Sequence, residues 1–401
     1  MNKKNIYLFY AIAFLQGMVF YAPIATLYRQ ARGLNMFQIT LIESISLVIC
    51  LTLEVPWGMA ADRIGYKKTL FICNFLFFLS KIVFWQAHNF GMFLTERLML
   101  SVVMSGLSGC DSAFLYVSCG GDKGGNSQKV FGIYDAMGTA GVLIAAGVYS
   151  LFMQGNDSIS ALFTIFPYAL AVFLTGFSTD VENPVENSAS FREQMQTLFH
   201  TITGDRRFLL FLFAAALLAE CNQTITTFLN QLQYLRGGIS PKMFGFLYIL
   251  MTVVGLCAAH SYRLVQRLGE NRITVSLFAV GGAACLVMAF FANPILSIVC
   301  LVLLRAAFSL FAPIQMDIQN RRVTTGNRAT LLSIYAIIID SVAVITNLAF
   351  GRAADFGVNF AMTLGAVFCF AALVLFLLWL YAERKLRGNC PQNCLPPEEQ
   401  E

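Results

Sequence analysis

Several carboxylates lie inside long apolar stretches of this sequence, and four of them are candidates for proton coupling: Glu43, Asp111, Glu220 and Asp340. An acid surrounded by apolar residues is costly unless it faces a cavity or a partner. A carboxyl group in such a place can take up and release a proton as the site alternates between dry and wet. Asp111 and Glu220 are deepest in their stretches and have no adjacent base, so they are the leading proton-coupling candidates, followed by Glu43 and Asp340. A structural ion pair or hydrogen-bonded packing is the alternative.

Polar and aromatic side chains in the same stretches are candidates for binding a small-molecule substrate. They are Gln16, Tyr21, Asn222, Gln223, Thr226, Gln315, Tyr335 and Asn347. A polar cluster in an apolar helix is expensive unless it meets water or another helix. Hydrogen bonding between helices is therefore the alternative interpretation of these residues. The cations available inside the stretches are Lys81, Arg97 and Arg305.

The stretches that carry these groups predict an integral membrane protein. The 401 residues are 57% hydrophobic and 12% charged, with a mean hydropathy of +0.67, far from the composition of a soluble domain. A span needs about 20 apolar residues. The sequence predicts twelve helical spans, at 5–28, 37–60, 69–88, 91–118, 130–152, 159–178, 208–230, 242–262, 273–292, 295–316, 329–351 and 360–382.

The distribution of basic residues predicts the orientation. With both termini on one side, nineteen Lys and Arg residues fall on that side and five on the other. Basic loops stay in the cytoplasm, so we expect a multi-pass protein of the cytoplasmic membrane with both termini inside. Basic loops facing anionic lipid explain the net charge of +5 without a nucleic-acid partner.

The chain divides into two halves of six predicted spans. Residues 1–178 form the first half, 179–207 a cytoplasmic linker, 208–383 the second half, and 384–401 a cytoplasmic tail. An internal repeat supports this division, because Asp62-Arg-Ile-Gly65 recurs as Gln266-Arg-Leu-Gly269 after 204 residues. Two six-span repeats around a central cavity are the architecture of alternating-access transporters.

A charged hairpin between predicted spans two and three carries the most specific pattern. It reads Gly58-Met-Ala-Ala-Asp62-Arg63-Ile-Gly65-Tyr-Lys67-Lys68. This segment resembles the G-x-x-x-D-R-x-G-R-[RK]-[RK] signature of the major facilitator superfamily, with Tyr66 in place of an Arg. The fourth span, Ser105 to Tyr116, and the segment from Asn320 to Ser333 are also similar to stretches of bacterial members. The resemblance covers most of the chain and implies an all-α membrane fold.

The resemblance implies a conformational latch at this hairpin. Asp62 would interact with the positive end of the eleventh helix and hold the halves together on the cytoplasmic side. Arg63, Lys67 and Lys68 would add salt links, with Asp122 as a partner, while Gly58 and Gly65 permit close helix approach. The alternative is that the bases only enforce topology.

The expected function is secondary active transport of a small molecule by alternating access. The first hypothesis is proton-coupled export of small amphiphilic compounds, and the alternative is uptake or exchange of a polar metabolite. A remote alternative is a transport-inactive sensor or scaffold. We expect a monomer that is not an enzyme, since no catalytic or ATP-binding motif occurs. No cofactor or metal is expected either, because Cys390 and Cys394 offer two ligands and a tetrahedral site needs four.

Overall fold

A computed structural model describes residues 2–108, 110–120, 127–181, 206–322 and 328–389. These residues are almost entirely helical and contain no β-strand. Within this part of the chain, twelve helices are long and apolar enough to cross a membrane. We number them as spans 1 to 12: Lys3–Gln30, Met36–Glu54, Tyr66–Gln86, Phe90–Ser118, Ser127–Met153, Asp157–Gly176, Arg206–Arg236, Pro241–Leu268, Glu270–Phe290, Pro294–Arg322, Leu331–Phe356 and Val358–Lys385. The predicted all-α fold with twelve spans is confirmed.

Several spans are not continuous α-helices. Span 1 is Lys3–Gly17 and Ala25–Gln30 joined through a 3₁₀ turn, and span 7 contains a π-helical segment, Thr224–Leu229. Span 5 ends in a second π segment, Tyr149–Met153. Such irregular segments free backbone groups and are frequent at functional sites. The helix of span 2 runs beyond the apolar part to Ile64, and that of span 12 to Asn389.

Spans 1 to 6, here called the first half, and spans 7 to 12, the second half, pack largely within themselves. In the first half, span 1 packs on span 5, and span 3 packs on spans 4 and 6. In the second half, span 12 packs on spans 7 and 9. The main contacts between the halves are made by span 2 with span 11 and by span 5 with span 8.

The halves meet at the end of the bundle opposite the termini, which we call the far end. Asp355, near the end of span 11, accepts a hydrogen bond of 2.8 Å from the backbone N–H of Met36, which begins span 2. The side-chain oxygen of Gln231 accepts bonds of 3.1 Å from the N–H groups of Thr26 and Leu27. These bonds satisfy free N–H groups at helix ends, and each joins one half to the other.

The opposite end is here called the termini end. There the last helical segment of span 4, Cys110–Ser118, makes its main contacts with spans of its own half, and so does the last segment of span 8, Ser261–Leu268. The halves are therefore closed on each other at the far end, whereas these two segments at the termini end pack mainly within their own halves.

Candidate functional site

Five charged side chains form a cluster inside the first half. Arg29, Lys81 and Glu96 are buried, with relative exposures of 6%, 4% and 1%. Glu96 lies 3.9 Å from Arg29, measured from carboxylate oxygen to guanidinium nitrogen, and Arg97 forms an ion pair with Glu43 between spans 4 and 2. Buried charges persist only with partners. The cluster is therefore a network of three cations and two carboxylates with one positive charge in excess.

Lys81 is held by aromatic rings as well as by charge. Its ammonium donates a 3.2 Å hydrogen bond to the Tyr21 hydroxyl. It also lies 4.8 Å from the ring centre of Phe77 and 4.9 Å from that of Tyr168. Cation–π contacts of this kind strengthen when water is excluded. Tyr21, a predicted substrate residue, is thus part of the structure that holds a buried lysine.

The break in span 1 positions Tyr21. The backbone N–H of Phe20, freed by the break, donates to the Thr164 hydroxyl at 3.1 Å. The Tyr21 ring then stacks on Phe84 at 4.0 Å between ring centres. Because the helix restarts at Ala25, the chain also places Arg29 against Glu96.

Gln16 lies next to this cluster but bonds to neighbouring helices. Its side-chain amide donates to Asn74 at 2.5 Å, and Asn74 donates to the Thr175 hydroxyl at 2.8 Å. The backbone carbonyl of Gln16 accepts a 2.6 Å hydrogen bond from the Tyr168 hydroxyl. This geometry matches the interhelical alternative for Gln16.

The second half presents a different arrangement around Glu220. Glu220 is 8% exposed and Asn222 is 1% exposed. One carboxylate oxygen of Glu220 and the amide oxygen of Asn222 have no hydrogen-bond partner among the described residues. Thr224, which begins the π segment, donates to Asn347 of span 11 at 2.8 Å. Buried polar atoms without partners are costly and mark a place where water or a solute can bind.

One further acid, Asp340, lies near Glu220, and it also lies near Glu54. Asp340 of span 11 is within electrostatic range of Glu220 and of Glu54. Asp340 is half-buried, whereas Glu54, on span 2 of the other half, is exposed. The carboxylates of spans 7 and 11 therefore lie near each other, and that of span 11 also lies near Glu54 of the other half.

The remaining candidates are dispersed. Asp111 is in the first half, where it accepts a 3.3 Å bond from the Tyr134 hydroxyl. Gln223 is exposed and Thr226 is buried. Gln315 is half-buried on span 10, and the Tyr335 ring lies 5.1 Å from that of Phe208. The structure does not gather all the predicted substrate residues into one site.

The predicted latch falls partly outside the described structure. Gly58, Asp62 and Arg63 belong to the helix Met36–Ile64, but their side chains lie outside the described residues, as does the whole of Asp122. Lys67 is half-buried and Lys68 is exposed at the start of span 3.

Gly65 and Gly269 occupy matching positions before spans 3 and 9. Gly65 has φ +95 and Gly269 has φ +81, a conformation that only glycine adopts readily. The two copies of the sequence repeat, which are 204 residues apart, therefore form turns of the same backbone geometry.

Glu96 was not among the residues predicted to be functional, and the predicted first span, 5–28, ended before Arg29, which was counted among the five bases outside. The structure places Arg29 in the buried last turns of span 1 and Glu96 in span 4. The adjacent charged pair Glu96-Arg97 inside an apolar run was the sequence feature that could have identified Glu96 as a buried functional residue. Arg29 was harder to identify, because it lies near the polar residues that follow span 1.

The sequence matches the model of a known protein family. The family model described as Major Facilitator Superfamily matches residues 6–347. The chain belongs to the major facilitator superfamily. No curated relative matches the sequence.

Solved structures of other superfamily transporters have the same fold. The nucleoside transporter NupG is 16% identical, with a TM-score of 0.76 over 96% of this chain and 100% of its own. A bacterial homolog of the human lysosomal transporter Spinster, in an inward-facing and occupied conformation, is 12% identical, with a TM-score of 0.74 over 97% of each chain.

A D-xylose-proton symporter is 13% identical, with a TM-score of 0.70 over 94% of this chain and 97% of its own. At these identities the likeness shows the fold alone. Membership in the superfamily indicates a transporter embedded in a membrane, and the resemblance drawn from the charged hairpin is confirmed.

Proposed function

We propose that this protein is a secondary transporter that carries a small polar solute together with protons by alternating access. The observation that carries the proposal is the asymmetry of the contacts between the halves. They meet through spans 2 and 11 and spans 5 and 8 at the far end, and we infer that they separate towards the termini end, where the last segments of spans 4 and 8 pack mainly within their own halves. A bundle closed at one end with a polar interior is one of the two states that alternating access requires.

The orientation makes this state inward-facing. Both termini and the linker lie in the cytoplasm by the distribution of basic residues, so the separated end opens to the cytoplasm. Membrane-impermeant thiol labelling of intact cells tests this orientation at Cys390 and Cys394, which lie outside the described residues. Both should stay unmodified in intact cells and react after the membrane is permeabilised. Ready labelling of intact cells would reverse the assignment.

A polar solute suits the groups that lie between the halves. Glu220 and Asn222 have oxygens without protein partners, and these can accept hydrogen bonds from hydroxyl or amino groups of a solute. NupG is a nucleoside transporter and the D-xylose structure is a proton symporter, which supports the same class of solute. Export of amphiphilic compounds is the second candidate. Span 5 is rich in glycine, as is the antiporter motif of drug exporters, but it lacks the Gly-Pro pair of that motif, which weakens this candidate.

Glu220 is the best-supported proton carrier. It is buried, lacks a basic partner among the described ion pairs, and lies within electrostatic range of Asp340. Its protonation state would respond to a solute or to water entering from the open end. Asp111 and Asp340 follow as candidates. Glu43 is placed lower, because its ion pair with Arg97 compensates its charge.

Transport by purified protein in proteoliposomes tests the proposal. Under an inward proton gradient, labelled nucleosides, pentoses and dipeptides are compared with a lipophilic cation. We expect accumulation of at least one polar class that collapses with a protonophore. Gradient-driven movement of the lipophilic cation alone would favour export. Ligand-induced stabilisation without transport of any compound, under gradients of either sign, would favour the sensor.

A further inference from the structure

We infer that the second half contains a binding site for an organic phosphate at its termini end. A cavity of about 540 Å³ opens there between the ends of spans 7, 9, 10 and 12. It lies within one half, apart from the region where the halves face each other. The inference does not depend on the proposed transport function. The volume is within the range of small-ligand pockets, roughly 300 to 1,000 Å³.

Arginine is the dominant polar residue of the cavity wall. Arg321, Arg322 and Arg384 line it together with Glu270 and Glu383. Among these five residues the cations exceed the carboxylates by one. The planar guanidinium fork binds phosphate oxygens through paired, charge-assisted hydrogen bonds. The wall therefore favours an anion with several acceptor oxygens.

The carboxylates hold two of these arginines in place before any ligand binds. Arg322 donates to Glu383 at 2.6 Å and its guanidinium lies 5.4 Å from the centre of the Phe208 ring. Arg321 forms ion pairs with Glu270 and with Asp317. Both arginines keep part of their side chains exposed, 57% for Arg321 and 34% for Arg322. They are therefore oriented and also accessible to a ligand.

The rest of the wall fits an organic body attached to the phosphate. Ile318, Trp379 and Leu380 line the same cavity. Trp379 is more than nine-tenths buried, and its indole N–H has no acceptor among the described residues. Because that nitrogen is itself buried, Trp379 contributes apolar ring surface to the wall. Inorganic phosphate would meet the arginines but not the apolar surface.

The organic phosphate has two possible sources, a soluble phosphate ester or a phospholipid headgroup. Trp379 can report on both when it is the sole tryptophan, because the chain contains only two others, Trp57 and Trp85. We therefore use the full chain with Trp57→Phe and Trp85→Phe. Glycerol 3-phosphate is titrated in detergent. Nanodiscs of phosphatidylcholine with and without phosphatidylglycerol provide the lipid arm.

We expect a saturable change in Trp379 emission in at least one arm. A response to glycerol 3-phosphate identifies a soluble ligand, and a response only to phosphatidylglycerol identifies a lipid headgroup. Arg322→Gln should weaken the apparent affinity about tenfold or more, the effect of losing a charge-assisted contact. Arg267→Gln is the matched control, because it removes a charge at the same end of the bundle from a residue outside the cavity wall.

Loss of the fold cannot be mistaken for loss of binding in this design. The double variant Glu270→Gln with Arg321→Gln removes both partners of one ion pair and leaves only Asp317 unpaired, whose side chain is 65% exposed. It should therefore fold normally and bind at least tenfold more weakly. An affinity equal to that of the unsubstituted chain in both this variant and Arg322→Gln would overturn the inference. So would the absence of a response in both arms, or an equal response to sodium chloride of the same ionic strength. A response seen only in a chain truncated after residue 389 would instead show that the C-terminal tail occupies the cavity in the full chain.

Discussion

The two halves share one fold but distribute charge differently inside the membrane. In the first half, Arg97 forms an ion pair with Glu43, and Lys81 is enclosed by aromatic rings near Glu96. In the second half, Glu220 is buried with a carboxylate oxygen that has no partner among the described residues. The core of the second half is aromatic, with Phe211, Phe278 and Phe311 fully buried.

This difference separates two roles that a carboxylate can have in a membrane. A paired acid is compensated in every state, so it holds helices in register and contributes to stability. An unpaired acid gains little from the protein and is free to exchange a proton when its surroundings change. We therefore expect the first half to be the more rigid body and the second half to carry the titrating group.

The largest expected effect comes from the intramembrane arginines of spans 4 and 10. Arg97→Met leaves the buried Glu43 carboxylate without its partner, which should lower the free energy of unfolding by about 3 to 5 kcal/mol. Arg305→Met makes the same change in the second half, where Arg305 has no ion pair among the described residues, and should cost less than about 1 kcal/mol. Thermal unfolding in one detergent measures both. Equal losses would contradict the contrast between the halves.

The second effect concerns the two buried glutamates. Glu220→Gln should reduce proton-driven accumulation at least tenfold, a barrier change of about 1.4 kcal/mol, while substrate exchange continues and the unfolding midpoint stays nearly constant. The pH dependence of transport should flatten, because the titrating group has gone. Glu96→Gln should instead leave proton-driven accumulation nearly unchanged and lower the free energy of unfolding by up to about 3 kcal/mol. Normal accumulation by Glu220→Gln would move the coupling site to Asp340 or Asp111.

The sequence was sufficient for the fold because the membrane imposes simple rules. Apolar length predicted the twelve spans, and the repeat between Gly65 and Gly269 anticipated two turns with the same backbone geometry. The functional site was harder to predict from the sequence. Glu220 stood out as a lone acid, but the enclosure of Lys81 by Phe77 and Tyr168 joins residues from spans 3 and 6. Sequence spacing gives the face of a single helix and not which faces meet across the bundle.

The third prediction compares a glycine within the first half with one between the halves. A β-carbon on Gly141 would collide with the Phe14 carbonyl oxygen inside the first half, and one on Gly351 would lie 2.9 Å from the Cα of Phe37 across the closed far end. Overpacking costs about 1 to 3 kcal/mol. Gly141→Ala should therefore lower the unfolding midpoint, because that contact persists in both states of the transporter.

Gly351→Ala should instead leave the midpoint unchanged and open the far end, because separating the halves relieves the collision. Spin labels at Asn35→Cys and Lys242→Cys, both exposed at that end, report the separation in a cysteine-free background. A lower midpoint for Gly351→Ala without any change in label distance would show that the far-end contact is permanent.

The smallest effect is expected from Asp355, whose carboxylate caps the start of span 2 from the other half. One oxygen accepts hydrogen bonds from the N–H groups of Met36 and Phe37, at 2.8 and 3.4 Å. A carboxylate at a helix N-terminus is stabilised by both the free N–H groups and the helix dipole.

Asp355→Asn keeps an acceptor but loses the charge, which should weaken far-end closure by up to about 1 kcal/mol, or roughly fivefold in population. The same pair of spin labels measures this shift, with Asp317→Asn at the termini end as the control for lost charge. Because the cap exists only when the halves touch, the unfolding midpoint should change less than the label distance distribution, and the opposite ranking would place Asp355 among the residues that stabilise span 11 alone.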